Sequence, residues 1–129
     1  MGTRCNIVIN GDKCKHILYG CCDGYPETAG TRLKSILDSM ESGSGDELAT
    51  RIVQHREPLY YPPPTSYFYP FEIASAIHQD IEYLYVIDVR KRTVVCYSTA
   101  NLIGTEMTEE SIIGQCRKET IPERKESMK

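Results

Sequence analysis

The chain predicts an α+β fold, with one largely antiparallel sheet and helices packed on one of its faces. Three observations lead there. Two pairs of strand-like runs are each joined by a short turn, at Asn10-Gly11-Asp12 and at Arg90-Lys91-Arg92, and such turns make hairpins rather than crossovers. Two stretches between them place apolar residues at three- and four-residue steps, the period of an amphipathic helix. The elements also come in blocks, ββ-αα-βββ-α, instead of alternating as βαβ units. The 129 residues suffice for one domain with a true core. It is expected to span residues 1–117, with 118–129 a charged, frayed tail.

The first strand is expected over Arg4–Ile9, one parity carrying Cys5, Ile7 and Ile9 and the other Arg4, Asn6 and Val8. Asn-Gly tolerates positive φ and turns the chain into a second strand from Cys14 to Cys22. A helix follows from about Thr28 to Ser42, with Leu33, Ile36, Leu37 and Met40 on its apolar side. Ser42-Gly43-Ser44-Gly45 ends it. A second helix runs from Asp46 to about His55, its acidic first turn suited to the helix dipole. Pro58 to Pro64 cannot continue a helix or enter a central strand. Ser66–Ile73 is a third strand, an edge or bulged one because of Pro70. Ile81–Val89 and Thr93–Ser98 form the second hairpin, and Thr108 caps a short last helix that ends near Cys116.

A formal charge of −3 argues against general nucleic-acid binding, which needs a basic face. No apolar run approaches the length of a bilayer span, and Met1-Gly2-Thr3-Arg4-Cys5-Asn6 has neither a signal-peptide core nor a myristoylation pattern. A cytoplasmic protein is therefore expected, with its six cysteines reduced. None forms a C-x-x-C pair, and no metal site or cofactor is assigned. Cys14, His16, Cys21 and Cys22 are the one set that a hairpin end would bring together, against the simpler reading of small apolar side chains packed in strands.

The stretch Asp23-Gly24-Tyr25-Pro26-Glu27-Thr28-Ala29-Gly30 joins a strand to a helix, and helix starts present unpaired N–H groups to anions. Arg4 and Asp23 fall at the same end of the first hairpin and suit an ion pair. Arg32, in the first helical turn, has a guanidinium fork that matches phosphate or carboxylate. Asp23 capping the turn with Arg4 as its neutralising partner is the competing structural reading. Tyr60, Tyr61, Tyr67, Phe68 and Tyr69 cluster around the prolines, where they could stack on a base or line an oligomer interface. His16, His55 and His78 stand in no metal-hydrolase pattern, and neither a P-loop nor a nucleophile elbow is present. The basic turn at residues 90–92 reads as solvated surface, or more sharply as a phosphate contact.

Met1-Gly2-Thr3-Arg4, followed by Leu18-Tyr19 and by Asp23-Gly24-Tyr25-Pro26-Glu27 with Gly30, resembles a family of short phage and bacterial proteins. These begin M-G-T-R and carry a D-G-Y-P-E loop before a helix. Asp80 to Tyr85, leading to Asp88, is similar to phage members as well. Where members often have an aromatic before Asp-Gly, this chain has Cys22, which leaves Tyr25 as the aromatic candidate. The resemblance implies a phage or prophage setting, hence a host cytoplasm, rather than an activity.

The expectation is thus a non-catalytic anti-defence accessory protein that sequesters a small anionic ligand, a nucleotide signal of host immunity. Its ligand-binding residues would be Arg4, Asp23, Tyr25, Glu27, Arg32, Tyr67 and His78, and Tyr60, Tyr61 and Tyr67 would build a homo-oligomer. Two alternatives stand beside it. One is a small enzyme degrading such a ligand through Asp23, Glu27, Tyr25 and His78, although no spacing assigns them catalytic roles. The other is a protein–protein inhibitor or assembly module using the Tyr/Pro segment.

Overall fold

The structure is a computed structural model that describes residues 3–11, 14–21, 24–40, 44–54, 71–100, 102 and 106–122. Strand β1 (Cys5–Asn10) and strand β2 (Lys15–Gly20) form the first hairpin. A π-helical turn, Pro26–Gly30, leads straight into α1 (Thr31–Asp38), and α2 (Gly45–Gln54) follows. The rest of the chain supplies β3 (Glu72–Ala74), β4 (Tyr83–Asp88), β5 (Thr93–Ser98), α3 (Glu109–Gln115) and β6 (Arg117–Glu119). The strands make one six-stranded sheet in the order β3-β2-β1-β4-β5-β6.

Every described pairing is antiparallel except β1 with β4, where Cys5 lies beside Tyr83 and Asn10 beside Asp88 in parallel register. The α+β fold is therefore a mixed sheet: two hairpins joined along a parallel seam. That seam forces a crossover, because the chain leaves β3 at one edge and must pass β2 and β1 to reach β4.

Central β1 is buried on both faces. On one face Cys5, Ile7, Ile9, Leu18, Tyr85 and Ile87 pack against Leu33, Ile36 and Leu37 of α1 and Leu48 and Ile52 of α2. Val8, Leu84 and Tyr97, of opposite strand parity, pack with Ile81, Leu102 and Ile112 of α3 on the other. The helices do not share one face, as the block order suggested. With β1 and β4 at the centre of the sheet, apolar residues of both parities need cover. Burying each of these aliphatic side chains contributes about 1.5–3 kcal/mol.

Local signals account for most element ends. Thr108 caps α3 through a reciprocal pair with Ser111, each backbone N–H donating to the other residue's hydroxyl at 3.0 Å. The described part of the third strand is short and begins at Glu72, while residues 66–70 of its expected range lie outside the described residues. Beyond residue 117 the chain still contributes to the sheet as β6, and Ile121 packs on the helical-side core. Among the described residues no helix is long and apolar enough to cross a membrane.

Candidate ligand-binding face

Alternation along β1 sends Arg4, Asn6 and Val8 to the face opposite α1 and α2. The crossover, residues 75–82, runs over that same face, and its anchor is Asn6. This side chain is wholly buried, yet both ends of its carboxamide are used. Its Nδ2 donates to the Leu18 carbonyl at 2.7 Å, and its Oδ1 accepts the His78 backbone N–H at 2.8 Å. A buried amide so satisfied fixes the register of whatever it holds, and here it holds the middle of the crossover against β1 and β2.

Fixing His78 fixes its ring. The imidazole lies on Tyr19 of β2 with centroids 3.9 Å apart and planes 13° from parallel. Tyr19 is directly opposite Asn6 in the hairpin, so the stack and its anchor share one register position. Two residues along the crossover, the Asp80 carboxylate meets the Arg4 guanidinium at 3.3 Å. Burial raises the Tyr19 phenol above its ordinary range and the Asp80 charge adds to that rise, while Arg4 works the other way. Arg4, Tyr19, His78 and Asp80 thus form one patch: a flat aromatic surface, a cation and an acceptor. Arg4 and Asp80 both remain about half exposed.

The conspicuous loop has a different environment. Gly24 approaches β1 so closely that a Cβ there would stand 2.9 Å from the Thr3 carbonyl oxygen and 3.0 Å from Cys5 Cβ. Its N–H donates to that carbonyl at 2.9 Å, and its own oxygen accepts from the buried Tyr85 hydroxyl at 2.6 Å. The Tyr25 carbonyl then takes the N–H groups of Thr28, Ala29 and Gly30 at 3.0, 2.8 and 3.4 Å. Pro26 has no N–H, and Glu27 places a carboxylate in the first turn. The helix thus begins earlier than Thr28, with the Thr28, Ala29 and Gly30 N–H groups engaged and an acid beside them, which leaves the turn less to offer an anion.

The expected site residues accordingly separate. Arg4 and His78 come together on the crossover face. Tyr25 and Glu27 lie on the helical side, where Tyr25 is half exposed and its ring tilts toward Tyr83 at a centroid distance of 6.2 Å. Arg32 is half-buried within α1, a full turn past the start of the helix. Asp23, Tyr67, Tyr60 and Tyr61 lie outside the described residues. Tyr19 and Asp80 were missed. Tyr19 has a signal, since it shares a strand face with Ile17 and sits across from Asn6. Asp80 has none, because its place depends on the crossover.

Comparison with known protein families, curated proteins and solved structures finds no match. The reading of this face therefore rests on its own chemistry.

Geometry bears on two other expectations. Arg92 of the basic turn adopts φ 57° and sends its Nη2 to the Leu37 and Met40 carbonyls at 2.9 and 2.6 Å. That side chain closes the C-terminal end of α1, while Arg90 and Lys91 of the same turn are exposed. Cys14 and His16 do come together, but with Asp46 of α2. Cys21 lies past the far end of β2, about 20 Å along an extended strand, and Cys22 lies outside the described residues.

Proposed function

We propose that this protein is a non-catalytic accessory protein of phage type that binds and sequesters a small anionic ligand of the nucleotide class, held at Arg4, Tyr19, His78 and Asp80. The observation that carries this reading is the Tyr19–His78 stack beside Arg4. Parallel rings present a π surface on which a base adds about 1–3 kcal/mol per stacked contact, and a guanidinium at its margin matches a phosphate. Asp80 supplies an acceptor for a sugar hydroxyl or an exocyclic amine. Because the Arg4–Asp80 pair is half exposed, it contributes about 1 kcal/mol at most, and a phosphate can take over the guanidinium at little loss. Sequestration requires tight holding rather than transition-state complementarity, and the residues of this face suit holding.

The test is calorimetry against a panel of cyclic and ADP-ribose-type nucleotides. A binder is expected, recovered chemically intact after the complex is denatured. Arg4→Ala and His78→Ala should each weaken it about tenfold or more. A silent panel overturns the reading. Turnover beyond one equivalent per chain replaces it with an enzyme, and affinity unmoved by both substitutions removes the ligand from this face.

A further inference from the structure

On the opposite face, where the first hairpin meets the start of α2, three ligand-type atoms converge. Cys14 comes just before β2, His16 is the second residue of that strand, and Asp46 lies in the first turn of α2. Cys14 Sγ stands 3.6 Å from His16 Nε2 and 3.6 Å from Asp46 Oδ1, while His16 Nε2 and Asp46 Oδ1 are 2.6 Å apart. In a tetrahedral zinc site, with Zn–S about 2.3 Å and Zn–N and Zn–O about 2.0–2.1 Å, sulfur stands about 3.6 Å from each partner and the other two about 3.4 Å apart. Two of the three edges already have those lengths. The third has the length of a hydrogen bond, as when a proton occupies the place between imidazole and carboxylate. Without a metal, the thiol donates to Asp46 Oδ1 and the imidazole pairs with the same oxygen, which holds the three ligand atoms at separations a cation can use.

The backbone beneath the cluster is fixed by a second, independent feature. Gly11 of the hairpin turn and Gly45 at the start of α2 are packed against each other, such that a Cβ on Gly11 would lie 3.1 Å from the Gly45 Cα. This contact, with Leu48 and Ile52 buried beneath the helix, sets the distance between the end of the hairpin bearing Cys14 and His16 and the turn bearing Asp46.

We propose that Cys14, His16 and Asp46 form a site for a thiophilic divalent cation, zinc by preference, with its fourth position open. One thiolate, one imidazole and one carboxylate suit zinc and disfavour magnesium or calcium, which take oxygen ligands. Binding releases the Cys14 thiol proton, and the imidazole proton moves to Nδ1 so that Nε2 can ligate. His16 and Asp46 also border an apolar groove of about 470 Å³ lined by Ile17, Ala49, Val53 and Ile73. The open position is therefore available to a donor group of a molecule lying in that groove.

Cobalt(II) titration of the chelator-treated, reduced full chain tests this. Saturation at one equivalent is expected, with a near-ultraviolet thiolate-to-cobalt band and the strong visible bands of a tetrahedral site, both abolished by zinc. Cys14→Ser should lose the thiolate band, Asp46→Asn should bind about tenfold more weakly or worse, and Cys21→Ser should match the parent. No thiolate band, or the same band in Cys14→Ser, overturns the proposal. Alkylation of the parent chain keeps the test open should a variant fail to fold. Zinc is expected to slow iodoacetamide at Cys14 and leave Cys21 unaffected, and equal rates at both overturn the site. Neither outcome bears on the Arg4 face.

Discussion

At the scale of single residues, Asn6 explains most about the candidate face. Strand alternation alone places it with Arg4 on an open side, yet it is buried and ties the Leu18 carbonyl to the His78 N–H. Asn6→Ala removes both bonds and takes from the His78 N–H the acceptor it has here, so a loss of about 1–3 kcal/mol is expected, read as a lower urea midpoint at unchanged m-value. The thiols sort by the same accounting of burial. Burial lifts the Cys5 thiol well above its usual range and pushes Cys96 up to about 12, whereas Cys14 and Cys21 are exposed, Cys14 being raised only by slight desolvation and the neighbouring Asp46. Iodoacetamide at neutral pH without metal should therefore label Cys14 and Cys21 in the native protein, and Cys5 and Cys96 only after unfolding, as mass mapping would show. Residue types suggested small apolar side chains packed in strands, which holds for Cys5 and Cys96 but not for Cys14 and Cys21, which are exposed. They could not reveal Asp46, which reads as an ordinary acid at a helix start until the fold sets it against His16.

At the scale of elements, both long helices were legible because the apolar spacing that marks them is the face they bury. Their ends were less so. The first begins at Pro26 and not at Thr28 because the Tyr25 carbonyl gathers three N–H groups at once, a backbone arrangement that no side-chain pattern encodes. Its other end depends on Arg92, which is distant in sequence and read there as surface charge. Arg92→Ala should cost about 1–3 kcal/mol through the two lost charge-assisted hydrogen bonds, with a matching loss in thermal midpoint. Arg92→Lys, lacking the fork, should recover part of it. A substitution without effect on stability would remove Arg92 from its place at the α1 terminus. The hairpin turns were legible for a simple reason: Asn-Gly carries its backbone preference locally.

At the scale of the whole molecule, the α+β class and single sheet were legible from the order of elements, while the parallel β1–β4 seam was not. Hairpins announce themselves through adjacent residues, but the seam joins Cys5 to Tyr83 with nothing between them to mark the partnership. The same central packing governs the response to alkali. Cys5, Cys96 and Tyr85 all hold their protons more tightly when folded, chiefly because burial penalises the anion. Above about pH 9 the unfolded chain releases thiol protons that the native state retains. The unfolded state then binds fewer protons than the native one, so their contribution, complete at neutral pH, declines as pH rises toward the folded-state values. Denaturant midpoints should be level near neutrality and fall above about pH 9, and Cys96→Ala should shallow that fall. A midpoint unchanged to pH 11 would contradict it.

The parallel seam also bears on the order in which the molecule assembles. Each hairpin closes over a short span and forms on a microsecond scale, but the β1–β4 pairing must wait until most of the chain has been drawn together, a closure that costs entropy before any contact rewards it. The two hairpins are thus expected to form first and to dock last and most slowly. Until it occurs, facing edges of β1 and β4 are bare, and during that interval the chain is most open to pairing with another copy of itself.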